Sequence, residues 1–270
     1  REEADEEAAF VASTAESWGI PFRLDEVDVA KLSERRSMTV EEAARHARYS
    51  FLIELAEEIG AKYVVVAHNA DDQVETVFLN LLRGTGLSGL RGMETVRQSH
   101  DNPDILIVRP FLYTPRQAIE AYCEEQNLRP MLDSSNWDPT YRRNYLRHDL
   151  LPRLKDVNPQ FNRHMQQLAE LVKGDEAFLE QQTKKAWKEI VREQGPDWLV
   201  LDKLKWKALP LSLRRRTIRY AVRTLRSSAN DISFRTVEQA QQVAWKGATG
   251  SEAALPGKLI LRVEYDVLKI

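Results

Sequence analysis

The chain has one cysteine, Cys123, in 270 residues. A single thiol excludes an internal disulfide and a thiolate metal cluster, and it suits a reducing cytoplasm. Cys123 falls in a helical pattern and reads as a small core residue. No apolar run approaches the ~20 residues that span a bilayer, and no signal-peptide pattern opens the chain, so no membrane partner is expected. Charge of one sign is also lacking, with a formal net charge of −2. That balance conceals an asymmetry. Residues 1–60 carry 15 acidic and 7 basic side chains, whereas residues 201–226 carry nine Lys/Arg against the single Asp202. A polyanion is drawn to the later part of the chain and not to its beginning. The hydrophobic fraction of 43% and charged fraction of 30% are those of a soluble globular protein, long enough for two domains.

One stretch organises the rest. Tyr63-Val64-Val65-Val66 is β-branched, too short for a helix, and reads as a strand buried on both faces. Polarity changes abruptly at His68-Asn69, and Asp71-Asp72 opens a helix that runs to Arg83. Side chains just past the carboxyl end of a strand in an open α/β sheet face the ligand crevice. Asp72 and Glu75 fit a capping box with Asp as N-cap and Glu at N3, which would explain two carboxylates without any function. His68, Asn69 and Asp71 remain, and Arg83-Gly84-Thr85-Gly86 forms a small polar loop after the helix.

Upstream, Arg1 to Trp18 reads as an amphipathic helix, and Phe22 to Val29 as an edge strand. Thr39 with Glu42 forms a capping box for a helix from about Val40 to Ile59, stopped by Gly60. Downstream, Leu87 to Met93 is a glycine-punctuated loop and Ile105 to Arg109 a buried strand, and Thr114-Pro115 with Gln117 starts a helix. This alternation predicts a parallel sheet with helical crossovers. Arg142-Arg143-Asn144-Tyr145-Leu146-Arg147 begins a helix reaching Leu154. Arg143 and Arg147 share one face, and arginine forks beside an aromatic suit phosphate contact and base stacking.

Pro159 to about Gln194 is a long helix whose Phe161, Met165, Leu168 and Val172 form one core stripe. Gln194-Gly195-Pro196 marks a turn, and Arg214-Arg215-Arg216 with Arg219, Arg223 and Arg226 makes a basic helix. Ser233 to Trp245 is a further amphipathic helix, and Gly257 to Ile270 a strand pair.

His68-Asn69-Ala70-Asp71-Asp72-Gln73-Val74-Glu75-Thr76 followed by Leu79-Asn80-Leu81-Leu82-Arg83-Gly84-Thr85-Gly86 resembles the signature of the tRNA(Ile)-lysidine synthetases, members of the N-type ATP-pyrophosphatase (PP-loop) family. A second segment, Asp133-Ser134-Ser135-Asn136 through Arg143-Asn144-Tyr145-Leu146-Arg147-His148, resembles the Asn-x-x-Arg segment of the same enzymes. The resemblance covers most of the first 155 residues and extends more loosely to the end. It implies an α/β, adenine-nucleotide α-hydrolase-like catalytic domain over residues 1–150 and a smaller, mainly helical tRNA-binding domain over 151–270.

The family's phosphate loop, Ser-Gly-Gly-x-Asp-Ser, normally follows the first strand, and this chain has no Gly-Gly pair. The chain therefore reads as an internal piece that lacks this loop and its strand, and the piece alone is not expected to hydrolyse ATP. The implied reaction is ATP- and Mg²⁺-dependent. C2 of the wobble cytidine in an isoleucine tRNA with a CAU anticodon is adenylated, and L-lysine then displaces AMP. The resemblance implies catalytic roles for His68, Asp71, Asp72 and Glu75, with Mg²⁺ or the lysine ammonium on Asp71 or Asp72. It implies nucleotide contacts from His68, Asn69, Arg83, Gly84 and Thr85, with phosphate or the flipped cytidine as the partner of Arg83 to Gly86, and tRNA contacts from Arg142, Arg143, Asn144 and Arg147. Beside that signature the basic run adds Arg214, Arg215 and Arg219 as phosphate contacts, its alternative being a solvated face. Arg48 of the Arg48-Tyr49 pair has two readings, a family active-site arginine and a solvated helix surface. A homodimer is among the expectations. The alternatives are a tRNA thiolase, for which one cysteine is poor provision, an ATP-pyrophosphatase acting on a free metabolite, and a non-catalytic RNA-binding module.

Overall fold

The computed structural model describes residues 2–131, 142–226 and 232–270. It divides into two compact units, Arg1–Val172 and Lys173–Ile270. The division lies within a long helix, where the sequence put it at 150/151. No helix among the described residues is long and apolar enough to cross a membrane.

In the first unit, α1 (Glu2–Ser17) is followed by α2 (Val29–Arg36) and α3 (Val40–Glu58). The edge strand expected at 22–29 does not form. Asp28 instead caps α2 by accepting the Lys31 N–H at 3.1 Å, and the residues before it take no regular structure. Their alternation is only partial, and among the described residues no strand pairs with them. Thr39 and Glu42 make the expected capping box, and Gly60, at φ +69°, ends α3 in a conformation that a side chain would resist.

Strand β1 (Tyr63–Val65) leads into α4 (Ala70–Leu82), the short helix α5 (Leu87–Leu90), β2 (Val96–Gln98), β3 (Leu106–Val108) and α6 (Arg116–Glu125). The sheet order is β1-β3-β2, with β1 parallel to β3 (Val64 opposite Ile107) and β2 antiparallel to β3. The parallel pair and its α4 crossover match the expected pattern, whereas β2 and α5 fall in stretches read as loop. β1 departs from expectation. Val64 is 5% exposed, but Tyr63 and Val65 are 62% and 63% exposed. As an edge strand covered by α3 on one side, β1 buries only one face.

Ile53 and Ala56 of α3 pack on Val64, Ile105 and Ile107. A second core joins Val74 of α4 to Leu146 and Leu151. These belong to a helical path of α7 (Arg142–Tyr145), a π-helical turn (Leu146–Leu150) and α8 (Leu151–Val157). Pro152, in the first turn of α8, has no N–H to continue the ladder, and the widened turn precedes it. Phe78 meets Phe161 edge-to-face at 5.9 Å, tying α4 to the start of α9 (Phe161–Ile190). Along α9, Val172 is buried while Leu168 is 40% exposed, so the expected core stripe is interrupted. Cys123 is half-buried in α6.

The second unit is built on an antiparallel sheet of order β4-β5-β8-β7-β6. Its strands are β4 (Val191–Gln194), β5 (Leu199–Asp202), β6 (Glu252–Leu255), β7 (Leu259–Val263) and β8 (Val267–Lys269). The last four residues expected in the long helix are therefore strand. They hairpin onto β5 across Gly195-Pro196. The expected carboxyl-terminal strand pair is β7 with β8. Helices α10 (Lys203–Ala208), α11 (Leu211–Leu225) and α12 (Phe234–Lys246) complete the unit. Alternate residues of β7, Leu259, Leu261 and Val263, join Trp206, Ile218, Val222 and Val237 in one core.

Candidate functional site

The site of the first unit forms where β1 ends and α4 begins. The capping arrangement is shifted one turn from expectation. Asn69, not Asp72, is the N-cap. Its Oδ1 accepts the N–H of Asp71 at 3.0 Å and of Asp72 at 3.1 Å, while Asp72 Oδ2 accepts the Asn69 N–H at 2.9 Å. An Asn with a β-region backbone satisfies a helix start as well as Asp does, so Glu75 is released from the cap.

Glu75 is 1% exposed. Its carboxylate accepts Arg143 Nε at 2.8 Å, Arg147 Nε at 2.6 Å and Arg147 Nη2 at 3.0 Å. Arg147 Nη2 also donates to Asp72 Oδ1 at 2.9 Å, and Arg143 Nη2 reaches the same oxygen at 3.5 Å. Two arginines four residues apart thus close over two carboxylates three residues apart, a direct joining of the two motifs. Burial lowers the Arg147 pKa, but the hydrogen bond and charge of Glu75, with Asp72 and Asp71, more than reverse it and leave the pKa raised.

Asp71 points elsewhere. Its Oδ2 accepts the Arg116 N–H at 2.9 Å and caps α6, and its Oδ1 accepts Asn162 Nδ2 at 2.9 Å, with Lys155 Nζ at 3.8 Å. This corrects the expected start of α6. Pro115 occupies the N-cap without a side-chain bond, so Thr114 does not cap it. The donor set does not fit a Mg²⁺ ion on Asp71. Both its oxygens hold protein donors, Asp72 and Glu75 hold guanidinium groups, and no three His, Cys, Asp or Glu among the described residues are grouped to ligate a metal.

His68 is half-buried, and its Nδ1 is fully buried with no partner among the described residues. Its pKa falls from 6.5 to about 4. Burial is the main cause, the Asp72 charge opposes it, and Arg109, Arg45 and Arg143 reinforce it. The imidazole is neutral at physiological pH.

The other expected residues are dispersed. Arg83 and Gly84 are exposed and Thr85 half-buried at the far end of α4, about 20 Å from His68 for a helix of 13 residues. They do not share a phosphate with His68 or Asn69. Arg83 and Arg142 instead line an apolar cavity of about 280 Å³ with Leu82, Tyr145 and Leu146. Asn144 lies half-buried in α7, and Arg48 is exposed on α3. The segment Asp133-Ser134-Ser135-Asn136 lies outside the described residues.

In the second unit the basic helix is largely engaged internally. The Arg214 guanidinium stacks 3.8 Å from the Trp245 ring centroid, with Nε and Nη1 buried and without a hydrogen-bond partner among the described residues. Arg215 pairs with Glu238 at 2.6 Å, and Arg219 Nη1 donates to the Ile232 carbonyl at 2.6 Å.

The comparisons with known proteins agree with this layout. Residues 1–154 match the family model described as PP-loop domain, and residues 201–268 match the TilS substrate binding domain. The chain belongs to the PP-loop family. It is 34% identical over 267 residues to the tRNA(Ile)-lysidine synthase of Dehalococcoides mccartyi (strain CBDB1), covering 98% of this chain and 56% of that protein. It is 30% identical over 267 residues to that of Clostridioides difficile (strain 630), with the same coverage. The chain thus spans little more than half the length of these curated relatives. In fold it is similar to the U34-tRNA thiolase NcsA from Methanococcus maripaludis with its 4Fe-4S cluster, at TM-score 0.50 and 15% identity, covering 63% of this chain and 58% of that one.

Residues that the sequence reading passed over also converge here. They are Arg45 on α3, stacked on Tyr49 of the Arg48-Tyr49 pair, Arg97 on β2 and Arg109 just after β3. Only Arg109 carried a signal, its place beyond the carboxyl end of a strand.

Proposed function

We propose that this chain serves ATP-dependent ligation of L-lysine to C2 of the wobble cytidine of an isoleucine tRNA with a CAU anticodon, in the cytoplasm. The observation that carries this reading is the succession, in one chain, of a PP-loop match and a TilS substrate-binding match, with 34% identity to a tRNA(Ile)-lysidine synthase across 98% of the chain. The PP-loop family implies use of ATP.

In the first step the C2 oxygen of the cytidine bonds to the α-phosphorus of ATP and pyrophosphate leaves. In the second, the lysine amine bonds to C2, the C2–O bond to AMP breaks and the amine gives up a proton. This chain's residues hold and orient the reactants. Asp72, 15% exposed where Glu75 is 1%, is the more accessible of the two carboxylates, and the lysine ammonium would share it with the arginines it already holds. Glu75 fixes Arg143 and Arg147 in place. His68, with a pKa of about 4, is a poor proton acceptor at neutral pH and serves as an uncharged hydrogen-bonding group. Fixed groups of this kind act through positioning.

The test is incubation of the intact protein with radiolabelled lysine, ATP and that tRNA, beside a tRNA of another anticodon. Label entering only the CAU tRNA, and lost with Asp72→Asn, is the expected result. No label in either tRNA would refute the reading.

A further inference from the structure

Arg45, Tyr49, Arg97 and Arg109 come from three parts of the first unit and meet beside His68. Arg45 and Tyr49 lie one turn apart on α3, and the Arg45 guanidinium stands 4.8 Å from the Tyr49 ring centroid. Arg97, from β2, stands 5.8 Å from the same ring. Arg109 follows β3 and is 1% exposed. Its Nη1 donates to the Glu94 carbonyl at 2.8 Å, and its Nε has no partner among the described residues.

The nearby carboxylates are already committed. Glu94 pairs with Arg91 at 3.2 Å, and Asp72 and Glu75 hold Arg143 and Arg147. Among the described residues, Arg45, Arg97 and Arg109 therefore have no carboxylate partner. Three buried polar atoms around them also lack partners, namely Tyr49 Oη, His68 Nδ1 and Arg109 Nε. Like charges gathered in a partly desolvated place repel one another, and a buried guanidinium without a counter-ion is costly. Arg45 is exposed on α3, and its pKa is nonetheless lowered, by partial desolvation first, with Tyr49 opposing and Arg97, Arg109 and Arg143 adding to the effect. An anion between these groups relieves both the repulsion and the missing hydrogen bonds.

We propose that Arg45, Arg97 and Arg109, with Tyr49, form a phosphate-binding subsite beside His68, with Arg45 and Arg97 at its rim and Arg109 as its floor. Planar guanidinium forks match the oxygens of a phosphate group, and the Tyr49 ring holds the two rim forks in place. Two substrates of the proposed reaction carry such a group, the nucleotide in its phosphate chain and the RNA in its backbone. The inference rests on that reading only for the choice between them.

The test uses the intact protein, the double variant Arg45→Gln/Arg97→Gln, and Arg35→Gln as an exposed control on α2. Binding of inorganic pyrophosphate is measured by calorimetry, and binding of unmodified isoleucine tRNA, without ATP, over a series of salt concentrations. Loss of a charge-assisted contact weakens binding about tenfold, so the double variant is expected to lose about a hundredfold. A loss confined to pyrophosphate assigns the subsite to the nucleotide. A loss confined to tRNA, with a shallower salt dependence, assigns it to the RNA backbone. A loss with both probes means that it takes either. Arg109→Lys, which keeps the charge but removes Nε, gives the same pattern more weakly. Affinities equal to those of Arg35→Gln with both probes overturn the proposal. Because binding is read without lysine, failure of the lysidine reaction in the unaltered protein would sink that reading and leave the subsite standing.

Discussion

Replacing Glu75 by Gln probes the junction of the two motifs most directly. The carboxylate is 1% exposed and accepts three guanidinium hydrogen bonds at 2.6–3.0 Å. Gln keeps the volume and one acceptor oxygen but loses the charge, leaving Asp72 as the nearby counter-ion for Arg143 and Arg147. Removing one partner of a buried ion pair costs about 3–5 kcal/mol. Arg143 and Arg147 retain 29% and 25% exposure, so water recovers part of that. A loss of about 2–4 kcal/mol is expected. For a protein of this size it corresponds to a drop of roughly 4–16 °C in Tm. The assay is urea denaturation of the intact protein, with Tm from a parallel thermal scan. Asp72→Asn should cost less, because from the two arginines Asp72 receives only one bond at 2.9 Å and a weak one at 3.5 Å, its other oxygen accepting the Asn69 N–H at 2.9 Å. A Glu75→Gln stability within about 1 kcal/mol of the unaltered protein would refute the view that this carboxylate anchors both arginines.

Two further outcomes follow from the same geometry. His68, with its pKa lowered from 6.5 to about 4, resists a proton that the unfolded chain accepts. Its contribution to stability is therefore constant above pH 6.5 and falls away as pH drops toward 4, by at most ~3 kcal/mol before allowance for solvent reach. An NMR titration of the ring should show a midpoint near 4, and a midpoint near 6.5 would contradict its burial among cations. Asp71→Ala removes the cap on the Arg116 N–H and should cost about 1 kcal/mol of stability. If the proposed reaction depends on Mg²⁺, that dependence should be the same in Asp71→Ala as in the unaltered protein, and a raised dependence would return a metal to Asp71.

The parts of the fold that could be read from sequence are those set by local chemistry. Thr39 and Glu42 announce α3, Ser233 announces α12, and alternation announces β7. The failures share one cause, which is that neighbours decide. Tyr63 to Val66 has the composition of a doubly covered strand, yet only Val64 is buried in β1, because coverage depends on what packs against each face. Val191 to Gln194 looks like the end of a helix and becomes strand because β5 offers an antiparallel edge. Partial alternation over Phe22 to Val29 suggested a strand, but Asp28 within it caps a helix over 29–36 instead.

The site divides in the same way. The two motifs are visible as residues, but their relation is not. Spacing places Asp72 with Glu75 and Arg143 with Arg147, each pair on one helix face. Nothing in the spacing says that the two faces close on each other, which turns four candidate ligand groups into a self-neutralised cluster. The reverse holds for Arg45, Arg97 and Arg109. Arg45 and Arg97 are unremarkable in their own segments and Arg109 is marked only by its place after a strand, and the approach of α3, β2 and the end of β3 makes them a concentration of positive charge with no carboxylate partner among the described residues. Motif reading therefore favours the residues that the fold satisfies internally and passes over those that it leaves unsatisfied. An unsatisfied buried donor is the stronger pointer to a ligand, because its cost in the empty site is recovered only when something binds.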